Sequence, residues 1–146
     1  MVAARYTRNN QDALDVLQNA LIKIYQNLSS FDSSLGNFTA WSTKIVINES
    51  IMFLRKRKQL VSLEDIRVED NTSVFEFEHP AHLNSEAITK LVQLLPDGYR
   101  LVFNLHVVEG YTHAEIAQIL RISVGTSKSQ YYKARKILKQ QIEVLI

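Results

Sequence analysis

The chain of 146 residues contains no cysteine, which excludes disulfide bonds, thiolate metal ligands and a cysteine nucleophile. It has only four glycines, and they form neither a GxGxxG nor a Walker phosphate-binding motif. No apolar run approaches the roughly 20 residues that cross a bilayer, and the opening MVAARYTRNN lacks the apolar segment of a secretory signal. From these absences we expect a cytoplasmic protein that does not insert into membranes.

The formal net charge is only +2, but the charged residues are unevenly distributed. A basic run, RKRK, occupies 55–58, and the stretch LEDIRVEDNTSVFEFEHP at 63–80 is acidic. A second basic group near the C-terminus comprises Lys128, Lys133, Arg135, Lys136 and Lys139. Two basic groups joined by an acidic connector are rare on an ordinary solvated surface and favour a polyanionic partner.

The hydrophobic periodicity predicts an almost wholly helical chain. A first helix is expected from Asp12 to Leu28 and a second from about Phe38 to Lys58. No sustained period is found at 60–84, which we interpret as a linker. Helical patterns resume at Ser85–Leu95 and, after a proline, at Asp97–Glu109.

Local signals indicate where these helices begin and end. Asn10 is the predicted N-cap of the first helix, and Gly110 is expected to follow the fourth in a left-handed conformation. Apolar residues recur every three or four positions along the first helix and form a stripe typical of a core-facing side. The stripe consists of Leu14, Leu17, Leu21, Ile24 and Leu28.

The stretch EGYTHAEIAQILRISVGTSKSQYYKAR at 109–135 has the pattern of a helix-turn-helix. Thr112 and Glu115 have the spacing of a capping box, Ile122 lies in the expected turn, and Ser123 is placed to cap a longer, polar helix. In such a motif the second helix enters the DNA major groove. An ordinary helical hairpin has the same spacing, so this pattern alone leaves both interpretations open.

Two sequence blocks together resemble bacterial RNA polymerase sigma factors of the extracytoplasmic-function (ECF) type. LPDGYRLVFNLHVVEGYTHAEIAQILRISVGTSKSQYYKARKIL is similar to region 4 of that family, and DALDVLQNALIKIYQNL with FDSSLGNFTAWSTKIVINESIMFLRKRK is similar to region 2. The resemblance implies an all-α fold of two small helical domains joined by a flexible linker. We expect a region 2-like domain at 1–59, an acidic linker at 60–84 and a region 4-like helix-turn-helix domain at 85–146.

The resemblance also implies a function without catalysis. A sigma factor binds core RNA polymerase at the β′ clamp and the β flap, recognises the −10 and −35 promoter elements, and directs strand opening without a cofactor. Promoter DNA is then the second partner, and an anti-sigma factor is a further candidate. Two other hypotheses stay open: a stand-alone helix-turn-helix regulator, and a helical adaptor that does not bind DNA.

Individual residues follow from their positions in the family pattern. Asn48 matches the asparagine of the pocket that captures an extruded −10 base, whereas Trp41 is expected to be a core residue. Polymerase binding is implied for Asp15, Gln18 and Asn19, and contact with −10 phosphates for Arg55, Lys56 and Arg57. Contact with the −35 element, with Lys128, Ser129 and Gln130 pointing outward, is implied for Ser123, Thr126, Lys128, Ser129, Gln130, Tyr132, Lys133, Arg135 and Lys136.

The chain departs from the family pattern at several positions. MVAARYT looks like only the tail of the helix that precedes region 2, and Asn19 replaces a usual glutamate. Arg121 stands at a turn position that favours glycine because φ is often positive there. Ser127 and Tyr131 replace apolar residues of the family.

Two further expectations concern the connector and the histidines. Because the connector is acidic and aperiodic, we expect few contacts between the two domains and proteolytic cleavage between about residues 60 and 84. The histidines show no metal-ligand spacing except for the pair His79 and His82, which lies in the connector, so we expect no metal site.

Overall fold

The computed structural model describes residues 1–61 and 85–145, and within them every regular element is helical. The elements are α1 (Val2–Tyr6), α2 (Asn10–Gln26), α3 (Phe38–Val61), α4 (Ser85–Leu94), α5 (Asp97–Phe103), α6 (His113–Leu120) and α7 (Val124–Leu145). A 3-10 turn at Leu28–Ser30 follows α2, and a π-helical turn at Asn104–Val108 continues α5. The predicted all-α fold is confirmed, whereas all but the first two residues of the predicted linker lie outside the described residues. None of the described helices is both long and apolar enough to span a membrane.

The predicted helix ends are close to the observed ones. The N-cap of α2 is Asn9 rather than Asn10, because Asn9 is extended and its side chain accepts a hydrogen bond from the Asp12 amide at 2.8 Å. Gly110 has a φ of +77°, as predicted for a residue that follows a helix.

The core face of α2 differs from the predicted one. Its fully buried residues are small: Ala13, Val16 and Ala20. Three leucines of the predicted stripe are instead 49%, 54% and 49% exposed: Leu14, Leu21 and Leu28. The helix has two apolar faces at helical spacing, and the small side chains on one of them let α1 and α3 approach closely. The prediction that the leucine stripe faces the core was therefore wrong.

The C-terminal half, residues 85–145, has a core in which α4 and α5 pack against α7. Three residues at the end of α4 and just after it are buried against two on α7: Leu91, Val92, Leu95, Ala134 and Leu138. This packing fixes the inner face of α7 and leaves its opposite face exposed to solvent.

The N-terminal half, residues 1–61, packs directly against the C-terminal half. One hydrophobic cluster joins Tyr6, Ile47 and Ile51 of the first half to Val102, Leu105 and Ile116 of the second, and all six are buried. The expectation of few contacts between the two halves was therefore wrong for this arrangement. The expectation was based on the acidity of the connector, which does not indicate whether the two halves have complementary apolar surfaces.

The short helix α1 explains why the halves are held together. A five-residue helix leaves its C-terminal carbonyls without partners of their own. Side chains of the C-terminal half donate to three of them at 2.7–3.1 Å: Gln93 to Ala4, Asn104 to Arg5 and Arg100 to Tyr6. Two carboxylates of the same half add ion pairs, Asp97 with Arg8 and Glu109 with Arg5.

Candidate nucleic-acid interface

The turn between α6 and α7 forms the predicted helix-turn-helix. At the start of α6, the Glu115 amide donates to the Thr112 hydroxyl and the Glu115 carboxylate accepts from the Thr112 amide at 2.8 Å, which is the predicted capping box. The hydrogen bonds that the Thr112 amide and hydroxyl donate to the Glu115 carboxylate hold the pKa of Glu115 below its ordinary value. Arg121 has a φ of 57°, as expected at a position that favours glycine. Ser123 caps α7 by accepting from the Thr126 amide at 3.0 Å.

The outer face of α7 brings most of the predicted −35 residues together. Thr126 is half-buried, and its hydroxyl lies 2.8 Å from the Ser123 hydroxyl. The exposed members of the predicted set are Ser123, Lys128, Ser129, Tyr132, Lys133, Arg135 and Lys136. Their contact with DNA stays a prediction, but their exposure makes it sterically feasible.

Gln130 does not share that exposed face. Its side chain is half-buried and lies against α5, so close that a Cβ added at Gly98 would be 3.0 Å from the Gln130 Nε2 atom. The expectation that Gln130 points outward was wrong, because the helix rotation that exposes Lys128 and Ser129 turns the following residue toward α5.

The buried side of the helix-turn-helix contains a polar group that the sequence did not predict. Ser127 is fully buried, and its hydroxyl lies 2.9 Å from the Nδ1 atom of His113. The His113 ring stacks on His106 with a centroid distance of 4.4 Å, and Tyr131 meets His106 edge-on at 4.8 Å. The two departures from the family pattern, Ser127 and Tyr131, were the available signal for this group.

On the N-terminal half, Asn48 is exposed and lines a surface cleft of about 320 Å³ between α2 and α3. Trp41 and Ile45, on the preceding turns of α3, lie on the same cleft. Lys23 of α2 and Glu49 of α3 form an ion pair at its edge. The predicted base-capturing asparagine therefore stands in a concave site with an aromatic wall.

Trp41 is not the core residue that was expected. It is half-buried and packs against two phenylalanines, with centroid distances of 5.3 Å to Phe31 and 5.6 Å to Phe38. This aromatic cluster lies between the 3-10 turn and the first turn of α3, away from the buried cores. Its position lets the indole support the turn and line the Asn48 cleft at the same time.

The basic end of α3 is only partly available to a ligand. Lys56 is exposed, but the Arg57 guanidinium pairs with Asp12 at 3.0 Å. Arg55 donates to the backbone oxygen of Ile119, near the end of α6, at 2.6 Å. Two of the three predicted −10 cations are thus occupied within the protein.

The three predicted polymerase-binding residues, Asp15, Gln18 and Asn19, are all exposed on α2. They are accompanied by large apolar side chains that also face solvent, namely Leu14, Leu21, Ile22 and Tyr25, the last of them 81% exposed. An exposed apolar surface with a polar border is typical of a protein-binding site. The sequence reasoning missed it because it assigned the leucines to the core.

Among the described residues, no cluster of three or more histidine or carboxylate side chains could hold a metal ion. His79 and His82, the pair with metal-ligand spacing, lie outside the described residues.

Two family models match the chain. Sigma-70 region 2 matches residues 1–59, and Sigma-70, region 4 matches residues 85–138. Similar proteins include the ECF RNA polymerase sigma factor SigW of Bacillus subtilis, 30% identical over 97% of this chain and 81% of the relative. The RNA polymerase sigma-H factor of Pseudomonas aeruginosa is 29% identical over 97% of this chain and 79% of the relative. The ECF RNA polymerase sigma-E factor of Escherichia coli is 28% identical over 99% and 81%.

Among solved structures, the chain is similar in fold to the sigma factor RpoE of Bartonella quintana, crystallised in complex with the anti-sigma factor NepR. The TM-score is 0.59 at 24% identity, and the match covers 98% of this chain and 88% of the other.

Proposed function

The chain belongs to the ECF RNA polymerase sigma factors of the sigma-70 family, and we propose which of its residues perform that family's function. As a sigma factor it binds core RNA polymerase and promoter DNA and directs transcription initiation. Our proposal is that it does so in the cytoplasm, without catalysis, metal or cofactor of its own. In this proposal the chain consists of a region 2-like domain at 1–59, a linker at 60–84 and a region 4-like domain at 85–146.

The −35 assignment depends on one observation: α7, the second helix of the helix-turn-helix, has an exposed polar face. The Ser123 hydroxyl, with Thr126, lies at the positive end of the α7 dipole, where a phosphate oxygen is stabilised. Lys128 and Ser129, on the next turn, are assigned to base edges in the major groove. Tyr132 and Lys133 lie a turn further along the helix, and Arg135 and Lys136 are assigned to backbone phosphates. Gln130 can contribute only if its side chain leaves Gly98.

The Asn48 cleft supports the −10 assignment. Opening DNA without ATP requires binding energy that favours the unpaired state, and a pocket for an extruded base provides it. The Asn48 amide offers both a donor and an acceptor to a base edge, and Trp41 supplies an aromatic surface on the same cleft. Lys56, exposed on α3, is placed to hold the adjoining strand by charge.

The outer face of α2 is assigned to core polymerase. Asp15, Gln18 and Asn19 provide polar contacts, and the neighbouring exposed leucines add apolar area that would be buried in a complex. This face points away from the packing between the halves, so polymerase can reach it in the present arrangement. Because the Bartonella quintana sigma factor is held by an anti-sigma factor, we add an anti-sigma factor as a further partner class.

Contact of Arg55 with −10 DNA requires the two halves to separate, although Asn48 and Lys56 on the same helix are already exposed. Arg55 now donates to the Ile119 carbonyl of the helix-turn-helix, so it can reach a phosphate only when α6 moves away. When Arg55 moves from the Ile119 carbonyl to a phosphate, a neutral acceptor is replaced by a charged one, and the hydrogen bond becomes stronger. It also exposes the shared cluster around Ile51 and Val102, so polymerase must hold both halves in their separated positions.

Reconstitution with core RNA polymerase, followed by transcription from a supercoiled genomic library, tests the proposed function. We expect a one-to-one complex and start sites that share two promoter elements. Lys136→Ala should lower transcription from all of these promoters, whereas Lys90→Ala, an exposed lysine on α4 outside the α7 face, should not. A palindromic site bound by a dimer without polymerase would favour the stand-alone regulator. Absence of salt-dependent DNA binding would favour the adaptor.

A further inference from the structure

Two stacked imidazoles lie directly beneath the proposed DNA-binding helix. His106 belongs to the π-helical turn, His113 is the first residue of α6, and their ring planes are inclined by 22° at a centroid distance of 4.4 Å. Tyr131 of α7 meets both rings, at 4.8 Å from His106 and 5.6 Å from His113. Three elements of the helix-turn-helix domain therefore meet at one titratable pair.

Each imidazole has a hydrogen-bond partner at Nδ1. The His106 Nδ1 atom lies 2.8 Å from the Tyr111 carbonyl oxygen, so it carries a proton and donates. The His113 Nδ1 atom lies 2.9 Å from the hydroxyl of Ser127, which is fully buried on α7. Burial of a hydroxyl is unfavourable without a partner, so His113 is the group that makes Ser127 tolerable at this position.

The surroundings of His113 disfavour a positive charge. Lys128 and Tyr131 face it from α7, Arg135 lies over the Tyr131 ring at 5.7 Å, and His106 faces it from the π-helical turn. On its own helix, the Glu115 carboxylate is bound to Thr112, and the positive end of the α6 dipole lies at His113 itself. Desolvation, together with His106 and Lys128, lowers the pKa of His113 below its ordinary value.

We propose that His113 is a positioning residue for the recognition helix, and that protonation of His113 weakens −35 binding. Neutral His113 holds Ser127, which directly precedes Lys128 and Ser129 in α7. A charged His113 can still donate through Nδ1 to the Ser127 hydroxyl, but it places a cation against His106 and beside Lys128, and the two charges repel. The α6–α7 contact is then loosened at the residues assigned to DNA. This inference rests on the proposed −35 function of α7.

The sign of the pH dependence follows from the lowered pKa. Above the ordinary histidine value of 6.5, His113 is neutral in folded and unfolded chains, and the contact is intact. As the pH falls below 6.5, the unfolded chain takes up a proton more readily than the folded one, so folding stability falls. The proposed loss of DNA affinity has a separate cause, the repulsion between charged His113 and Lys128 on α7. Simple charge attraction predicts the opposite, since an added positive charge near DNA strengthens binding.

Fluorescence anisotropy of the reconstituted holoenzyme on a promoter fragment, from pH 5.5 to 8, tests the inference. We expect binding to weaken by up to roughly tenfold toward pH 5.5, the limit for one proton taken up over one pH unit below 6.5. His113→Asn keeps a side-chain amide for Ser127 but cannot titrate, so its affinity should remain nearly constant. His82→Asn, which removes a histidine from the segment between the two family-model matches, should behave like the unmodified chain. Identical pH profiles for His113→Asn and the unmodified chain would overturn the proposal.

An NMR titration of the free full-length chain separates this inference from the promoter function. The amide signals of Ser127, Lys128 and Ser129 should shift with the titration of His113 and should stay fixed in His113→Asn. If the holoenzyme bound no promoter at any pH, the proposed function would fail, but the titration would still report the positioning role. If these amides did not follow His113, the positioning role would be refuted even with normal promoter binding.

Discussion

Replacing Arg100 by methionine should cost far more stability than replacing Arg8 by methionine, although both guanidiniums pair with Asp97. The Arg100 side chain is completely buried and also donates to three carbonyls at 2.7–3.1 Å, those of Tyr6, Gln93 and Leu95. The Arg8 side chain is 49% exposed. Arg100→Met therefore leaves buried acceptors without a donor, whereas Arg8→Met breaks only a solvent-screened pair.

The expected losses of unfolding free energy in the two variants differ enough to be measured. Loss of one partner from a buried, hydrogen-bonded pair costs about 3–5 kcal/mol, whereas an exposed pair contributes about 0–1 kcal/mol. For a chain of this size, the larger value corresponds to a fall of roughly 10 °C in the unfolding midpoint. Urea and thermal unfolding followed by circular dichroism would measure both variants under identical conditions. Equal losses for Arg100→Met and Arg8→Met would refute the idea that Arg100 ties α1 to the C-terminal half.

Three further predictions concern DNA and acid. Asn48→Ala should leave core binding unchanged but impair strand opening, because the cleft is used only after a base leaves the stack; normal permanganate reactivity at −10 would remove Asn48 from the site. Lys136→Ala should weaken binding to all DNA sequences and flatten the salt dependence of that binding, whereas Lys128→Ala should relax the sequence specificity at one or two −35 base pairs. An unchanged −35 consensus in a promoter library selected with Lys128→Ala would contradict this. Burial would raise the pKa of Asp97, but the hydrogen bond from Arg8 and neighbouring guanidiniums outweigh it and lower the pKa. Stability should therefore fall as pH drops below about 3.8, and Asp97→Asn should flatten that limb of a pH–stability curve.

The features predicted correctly from the sequence are local ones. The Thr112–Glu115 capping box, the Ser123 cap and the positive φ of Arg121 each depend on atoms within three residues along the chain. Such interactions are determined by residue type and spacing, because few alternative partners compete at that distance. The predicted helix-turn-helix was accurate for this reason.

The errors concern packing between distant segments. Helical spacing identified one apolar stripe on α2, the leucine stripe, but could not show that Ala13 and Ala20, rather than Leu14 and Leu21, meet a neighbouring helix. That choice depends on how closely α1 and α3 approach, which is a property of the assembled fold. The contact between the two halves was missed for the same reason, since the hydrogen bonds that side chains of the C-terminal half make to α1 join residues about 90 to 100 positions apart.

The departures from the family pattern acquire a physical meaning when they are considered together. Ser127 alone would be an unfavourable buried hydroxyl, and His113 alone would be a polar ring at a helix start. In the structure each satisfies the other, and the Tyr131 ring makes a T-shaped contact with the stacked His106 ring. A substitution that looks like a defect at one position is therefore one part of a polar network. Because the network joins α6 to the helix assigned to DNA, replacing Ser127 by an apolar residue would remove the hydrogen bond that links them.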